Sequence, residues 1–346
     1  MLEIDGSVRS GSGTILRLSI ALAAITQQPL HIYNIRWRRR QPGLRPQHLE
    51  AVRTAAELCE AECTGLTLGS RELWFKPQEI RSDRVKAEIG TAGSIPMLLL
   101  TILPICAFAR HPVRVDVVHG GTDVPHSPPV NYLRYVLLEM LRRMNFETSL
   151  VIHKYGYYPK GMGAVTLQAQ PCLKLRPLQL EEFGTMKESH GVSVCTFLAD
   201  RRVAERQATS ASKYLAARGI ETSIEVINDQ SNPDQRGSSI VLWADSTADA
   251  LIGGDAIGEL RKPSETVGKQ AAADFFMEAD SKATVDSHLA DMLIPYMALA
   301  DGPSSFLTRS LTAHLDSNLW LAQEILDVRF RVSRSRNLIR VEKSGP

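Results

Sequence analysis

Hydrophobic and polar positions alternate between two periods along most of the chain. Met1–Asp5 alternates as a short strand, a glycine-rich loop follows, and the apolar spacing from Thr14 to about Ile25 becomes helical. Leu30–Arg36 predicts a strand, and Pro46, suited to a first helical turn, opens a long helix through Cys59. Further strands are predicted over Arg71–Phe75, Val113–Val118, Thr148–His153 and Ala164–Ala169, with helices over Ile95–Phe108 and Asn131–Met144. After about residue 183 the pattern changes. It predicts strands over Val192–Leu198, Ile220–Ile227 and Ser239–Trp243, helices over Arg202–Arg218 and Ser264–Ala279, and a polar loop from Asn228 to Gly237. This β-α-β-β-α block reads as a small domain, 184–282, that interrupts a larger one formed by 1–183 and 283–346. The larger pattern repeats strand and helix in similar blocks, which predicts an α+β fold with internal repetition.

The last sixty residues hold two histidines in different settings. Thr284 and Asp286 are N-cap candidates for a helix over roughly 287–300, and His288 falls in its first turn. Asp291, three positions on, shares that face and could fix the imidazole tautomer. From Thr308 to Leu315 the pattern alternates, with Leu311, Ala313 and Leu315 opposite Thr308, Ser310, Thr312 and His314. That predicts a strand with His314 near its end, followed by a helix capped by Ser317 or Asn318.

Composition narrows the alternatives. A chain of 346 residues with 44% hydrophobic content supports one large domain and a smaller one. The net charge of +2 is no polyelectrolyte signature, so any nucleic-acid contact has to come from local clusters. Five cysteines, odd in number and without a CxxC pair, suit reduced thiols in a cytoplasmic protein better than a disulfide framework or a zinc site. The N-terminus lacks the order of a signal peptide. Ala92–Ala109 is apolar enough to suggest a membrane span, but Pro96 and Pro104 make a buried helix the expectation.

Two N-terminal stretches bear on phosphate. The loop D5-G-S-V-R-S-G-S-G-T14 feeds a helix start, where backbone N–H groups and the helix dipole favour anions, yet it lacks the lysine of a Walker loop. Ile35–Leu49 carries five arginines within ten residues, with Trp37 among them, and guanidinium forks grip phosphates.

Taken together, these motifs resemble the RNA 3'-terminal phosphate cyclases. The resemblance runs through DGS…GSGTILR from Asp5 to Arg17, the Ile35–Leu49 run, IGTAGS from Ile89, GGTDVPHSPP from Gly120, and GYYPKGMG from Gly156. It closes with HLADMLIPYMALA from His288 and LTAHLDSN from Leu311. It implies three repeats of a two-helix, four-stranded unit, with a small thioredoxin-like α/β domain inserted before the third. It also implies an enzyme that uses ATP and a divalent metal, magnesium or manganese, to convert an RNA 3'-phosphate into a 2',3'-cyclic phosphate. In that chemistry a histidine takes AMP and passes it to the RNA end. The family nucleophile carries over to His314. Leu100, Pro128, His288, Asp291 and Met292 fall on nucleotide-pocket positions. Arg17, Arg39 and Gln47 fall on phosphate and RNA positions.

The chain departs from the family at several of these places. Ser10–Thr14 reads S-G-S-G-T where E-G-G-G-Q is usual, so Ser10 takes the place of a carboxylate implicated in metal binding. Leu100 and Met292 stand where glutamines are usual, and Gly258–Arg261 reads G-E-L-R in place of G-E-R-G. These losses predict reduced activity. Two other functions are compatible with them: a non-cyclising RNA-binding module, or an adenylyltransferase acting on another nucleic-acid end.

Overall fold

The computed structural model describes residues 1–172 and 174–344. The chain opens with β1 (Leu2–Asp5), α1 (Gly13–Thr26), β2 (Leu30–Tyr33), α2 (Pro46–Leu58), β3 (Glu62–Thr64) and β4 (Leu73–Lys76). These strands form one sheet in the order β1-β2-β4-β3, with only β1 and β2 parallel. β5 (Arg84–Glu88), α3 (Ile95–Ala107), β6 (Val113–Gly120), a helical stretch, β7 (Thr148–Lys154) and β8 (Gly163–Ala169) repeat that order. Their sheet runs β5-β6-β8-β7, again with only the first pair parallel. The helical stretch is α4 (Val130–Tyr132), a π-helical turn (Leu133–Leu137) and α5 (Leu138–Arg143), which together answer to the helix expected over 131–144.

A third set follows: β9 (Met186–Thr196), α6 (Val203–Ala216), β10 (Thr222–Asp229), β11 (Gly237–Ser246), β12 (Leu251–Ile257) and α7 (Ser264–Ser281). Its sheet is β10-β9-β11-β12, and β9 and β10 are its parallel pair. The chain ends with α8 (Ser287–Leu299), β13 (Ser304–Thr308), α9 (Ala313–Leu326), β14 (Phe330–Ser335) and β15 (Leu338–Lys343). Their antiparallel sheet runs β13-β15-β14. Thr284 extends it on the other side of β13, its N–H donating to the Leu307 carbonyl at 2.8 Å. The protein is thus a mixed α+β chain of several small sheets.

One apolar cluster unites the first, second and last sets, drawing on α1, α3, α8 and α9, and reaches Val192, Val194, Val241 and Leu251 of the third. A second, containing Phe183, Leu215, Leu242, Ile252 and Phe275, belongs to the third set alone. α3 shows why the apolar Ala92–Ala109 run belongs to this core. Ser94 caps it by accepting from Met97 N–H at 3.1 Å, and Ile95, Leu98, Leu99, Ile102 and Leu103 are fully buried. Among the described residues no helix is long and apolar enough to cross a membrane.

Several local expectations fail for identifiable reasons. The strand expected to reach Arg36 stops at Tyr33, because Asn34 (φ 52°) and Arg36 (φ 55°) turn left-handed. No strand runs through His314. Thr312 is extended (φ −70°, ψ 159°) and its hydroxyl accepts from Leu315 N–H at 2.9 Å, so it caps α9. Leu315, Leu319 and Ala322, spaced 4 and 3 apart, form the buried helical stripe that the short alternation of 311–315 obscured. Ser317 and Asn318, expected as caps, lie inside the helix. The next helix start is capped by Asp286, which accepts from His288 and Leu289 N–H at 2.9 and 3.0 Å, while Thr284 bonds to Leu307.

Candidate active site

Two helix N-termini meet at His314. It is the second residue of α9, and Thr14 is the second residue of α1, which Ser12 caps. Packing of α1 against α9 brings the Thr14 hydroxyl 3.0 Å from His314 Nδ1. One helical turn beyond Thr14, Arg17 donates from Nη2 to the same hydroxyl oxygen at 3.1 Å. Thr14 oxygen has two lone pairs and can therefore accept from both Arg17 and an Nδ1–H tautomer of His314, leaving Nε2 unprotonated. Burial, followed by the charges of Arg17, Arg39 and His288, lowers the pKa of His314. Its ring is neutral at pH 7. Arg17 is lowered to about 10 by burial and by Arg36 and Arg39, and it stays cationic there.

The glycine-rich loop fits against this pair with little spare room. Ser10 N–H donates to Ser317 Oγ at 3.1 Å, and Ser317 Oγ donates to Ser10 Oγ at 2.8 Å, which fastens the loop to the second turn of α9. Arg9 pairs with Asp316 at 3.3 Å, and Arg38 donates to the Arg9 carbonyl at 2.8 Å. Gly13 has no room for a side chain: a Cβ there would lie 2.4 Å from His48 Nε2 and 3.0 Å from Arg17 Nη1. His48 is buried with Nδ1 unpartnered, and burial plus Arg17, Arg36, Arg45 and Arg39 push its pKa well down. Exposed Arg39 lies close enough to Arg17 and His314 to act on both electrostatically.

The second histidine has a different environment. Burial disfavours charge on His288, but Asp286, Asp255, Asp291 and Glu278 outweigh it and raise its pKa. The side-chain partner of Asp291 is the Thr312 hydroxyl, which donates to Oδ1 at 2.5 Å, so no direct bond from Asp291 sets the His288 tautomer. Burial pushes Asp291 up to about 7 against the opposing effects of Thr312 and His288. Because Thr312 caps α9, Asp291 on α8 is tied directly to the start of the His314 helix. Asn318 adds a second tie, donating to the Asp291 carbonyl at 2.7 Å.

The remaining positions lie on other elements. Gln47 Oε1 accepts from Ser94 N–H at 2.7 Å, and Ser94 Oγ lies 2.5 Å from Ser127 Oγ, next to half-buried Pro128. Leu100 on α3 and Met292 on α8 are half-buried against the main core. Thr14 and Thr312, which hold the His314 helix in place, were not among the residues singled out from sequence. Thr312 was legible as a cap, with Asp316 following in the first turn. The Thr14 contact spans 300 positions and left no local signal.

Comparison with known proteins shows the family. A family profile described as RNA 3'-terminal phosphate cyclase matches residues 8–332. The chain belongs to that family. It is 41% identical to an RNA 3'-terminal phosphate cyclase of Pyrobaculum aerophilum, covering 99% of this chain and 98% of that one. A cyclase of Methanosarcina barkeri is 42% identical, covering 99% of this chain and all of its own, and one of Hyperthermus butylicus is 43% identical over 92% and 90%.

The Ser10 hydroxyl, where the family's carboxylate is expected, bonds to those of Ser12 and Ser317. Among the described residues no group of three or more His, Cys, Asp or Glu could hold a metal ion. At Ser10 the loop offers hydroxyl oxygens, poorer magnesium or manganese ligands than a carboxylate.

Proposed function

We propose that this chain is an ATP-dependent RNA 3'-terminal phosphate cyclase in which His314 is the nucleophile. The full-length cyclase relatives support the reaction and favour neither a non-catalytic RNA-binding role nor action on another nucleic-acid end. The observation that carries the residue assignment is the 3.0 Å contact of Thr14 with His314 Nδ1 at the start of α9.

With Nδ1–H held by Thr14, Nε2 attacks the α-phosphorus of ATP. The N–P bond forms as the bond to pyrophosphate breaks. Arg17 and Arg39 offset negative charge on the transferring group, and the free N–H groups at the start of α9 face the same charge. A 3'-phosphate oxygen of the RNA then takes AMP from His314, and the adjacent 2'-hydroxyl displaces AMP to close the ring. His288, Asp291, Met292, Leu100 and Pro128 would line the nucleotide, and Gln47 would position the Ile89–Ser94 loop beside it. A divalent cation would arrive on the ATP phosphates, and with Ser10 in place of a carboxylate a slower reaction is expected.

We also read the first, second and last sets of elements as three repeats of one unit, and residues 184–282 as an inserted thioredoxin-like domain. The β-α-β-α-β-β order of the first two sets, the α-β-α-β-β order of the last, and the additional apolar cluster of the third set support this. Five free cysteines, four of them buried, suit a cytoplasmic location.

Incubation with α-labelled ATP and magnesium or manganese tests the reading. Acid-labile label should appear on the wild-type protein, disappear in His314→Ala, and chase into cyclic-ended RNA when 3'-phosphorylated RNA is added. Label that persists in His314→Ala would remove His314 from the mechanism.

A further inference from the structure

The C-terminal hairpin carries positive charge that the cyclase mechanism leaves unused. Arg309, at the exit of β13, and Arg334, Arg336, Asn337, Leu338 and Ile339, at the β14–β15 tip, line a pocket of about 290 Å³. Its three guanidiniums have one carboxylate partner among the described residues, Glu278, which pairs with Arg309. Arg334 and Arg336 are exposed, and neither forms an ion pair with another described residue.

Arg309 is held in place. Its Nε and Nη2 both donate to Glu278 Oε1 at 3.2 Å, which leaves Nη1 uncommitted. Ser287, the first residue of α8, donates to the same Glu278 oxygen at 2.9 Å, and its Oγ lies 3.2 Å from Ser310 Oγ. The wall of the pocket is therefore continuous with the α8 start that carries His288. His314 follows Arg309 closely in the chain, so at most about 18 Å separates their backbones.

Like charges gathered in one depression repel one another, and a bound anion relieves that repulsion. Guanidinium forks match phosphate oxygens in particular. We propose that Arg309, Arg334 and Arg336 form a phosphate-binding pocket that holds the RNA backbone a short way upstream of the reacting 3' end. The proposal rests on the cyclase reading only in its choice of RNA as the anion. Contacts of this kind position a strand without reading its sequence.

The test compares wild type with R334Q/R336Q. Binding of a long oligoribonucleotide ending in a 3'-hydroxyl, followed by fluorescence anisotropy, reads the pocket whether or not cyclisation occurs. Affinity should fall roughly tenfold irrespective of sequence, and the log–log salt dependence should become shallower by roughly 0.7 for each phosphate that the variant no longer neutralises. For cyclisation, KM should rise for the long 3'-phosphorylated RNA and stay unchanged for a 3'-phosphorylated dinucleotide, too short to reach the pocket. Labelling of the protein by ATP alone should not change. Equal affinity and salt slope in the two proteins would overturn the proposal, as would a rise in KM for ATP with none for RNA, which would assign the pocket to the nucleotide. If the double variant loses labelling by ATP, R336Q alone is judged by the same criteria. Absence of labelling in the wild type would refute the His314 reading and leave the binding comparison intact.

Discussion

Replacing Thr14 by valine keeps the shape of the side chain and removes its hydroxyl. Thr14 is 8% exposed, and its oxygen is the shared partner of His314 Nδ1 at 3.0 Å and Arg17 Nη2 at 3.1 Å. The substitution leaves two polar groups facing a methyl, one on a half-buried neutral imidazole and one on a cation. A lost partner at such a site costs about 1–3 kcal/mol. If that cost falls on the transition state for adenylylation, it corresponds to a rate roughly ten- to a hundredfold slower, at about 1.4 kcal/mol per decade. Single-turnover labelling with α-labelled ATP, at saturating nucleotide, isolates this step from RNA binding. The rate constant should fall in Thr14→Val and recover in Thr14→Ser, which restores a hydroxyl. In the wild type the rate should hold down to pH values below 6.5, the ordinary histidine value, because burial lowers the pKa of His314. An unchanged rate in Thr14→Val, with the protein folded, would refute the claim that this hydroxyl sets the tautomer.

Further outcomes follow from neighbouring residues. His48 has a folded pKa far below the ordinary 6.5, so the unfolded chain binds a proton that the folded protein refuses. Its contribution to stability is present above pH 6.5 and is lost as pH falls toward the folded value; urea denaturation across this range should show a shallower acid loss in His48→Gln. Gly13→Ala should lower Tm and slow labelling together, because its Cβ would lie 2.4 Å from His48 Nε2 and press on Arg17. Asp286→Asn should cost about 2 kcal/mol or more in chemical denaturation, since the carboxylate caps α8 and accepts from the Tyr132 hydroxyl and Gly253 N–H as well. An effect within about 0.5 kcal/mol, that of an ordinary surface substitution, would show that these bonds are redundant.

Long periodic segments were legible in the sequence. α1, α2 and α3 lie where their spacing placed them, with Pro46 also marking the start of α2; the Ser12 and Ser94 caps were not anticipated. The strands were legible only in part. Four-residue β1 and β4 were anticipated, whereas β3, β5 and seven-residue β12 were not, and the β14–β15 pair went unnoticed among its arginines. His314 stood out as a residue but was expected on a strand, and it lies on a helix. A short alternation of apolar and polar positions fits a strand as well as a helix start, and only the Thr312 cap distinguishes the two. Asp291 was expected to serve His288 through helical spacing, which ignores partners on other elements. Its bond to Thr312 depends on the packing of α8 against α9, which no local pattern encodes.

Asp286 also has a mechanical consequence. Its carboxylate takes the Gly253 N–H at 2.8 Å from β12 and the Tyr132 hydroxyl at 2.7 Å from α4, while its first oxygen starts the helix that bears His288. Gly253 itself is small because Tyr132 leaves no space there, a Cβ lying 2.8 Å from the ring. Elements from three parts of the chain thus converge on one buried carboxylate two residues before His288. A protein shortened by removing β9–β12 would lose more than a peripheral sheet. It would take the Gly253 N–H from the Asp286 carboxylate, leaving Tyr132 and the α8 start as its partners, and loosen the joint two residues before His288. The third set of elements therefore braces the start of α8, and its removal should be felt at His288 as well as in stability.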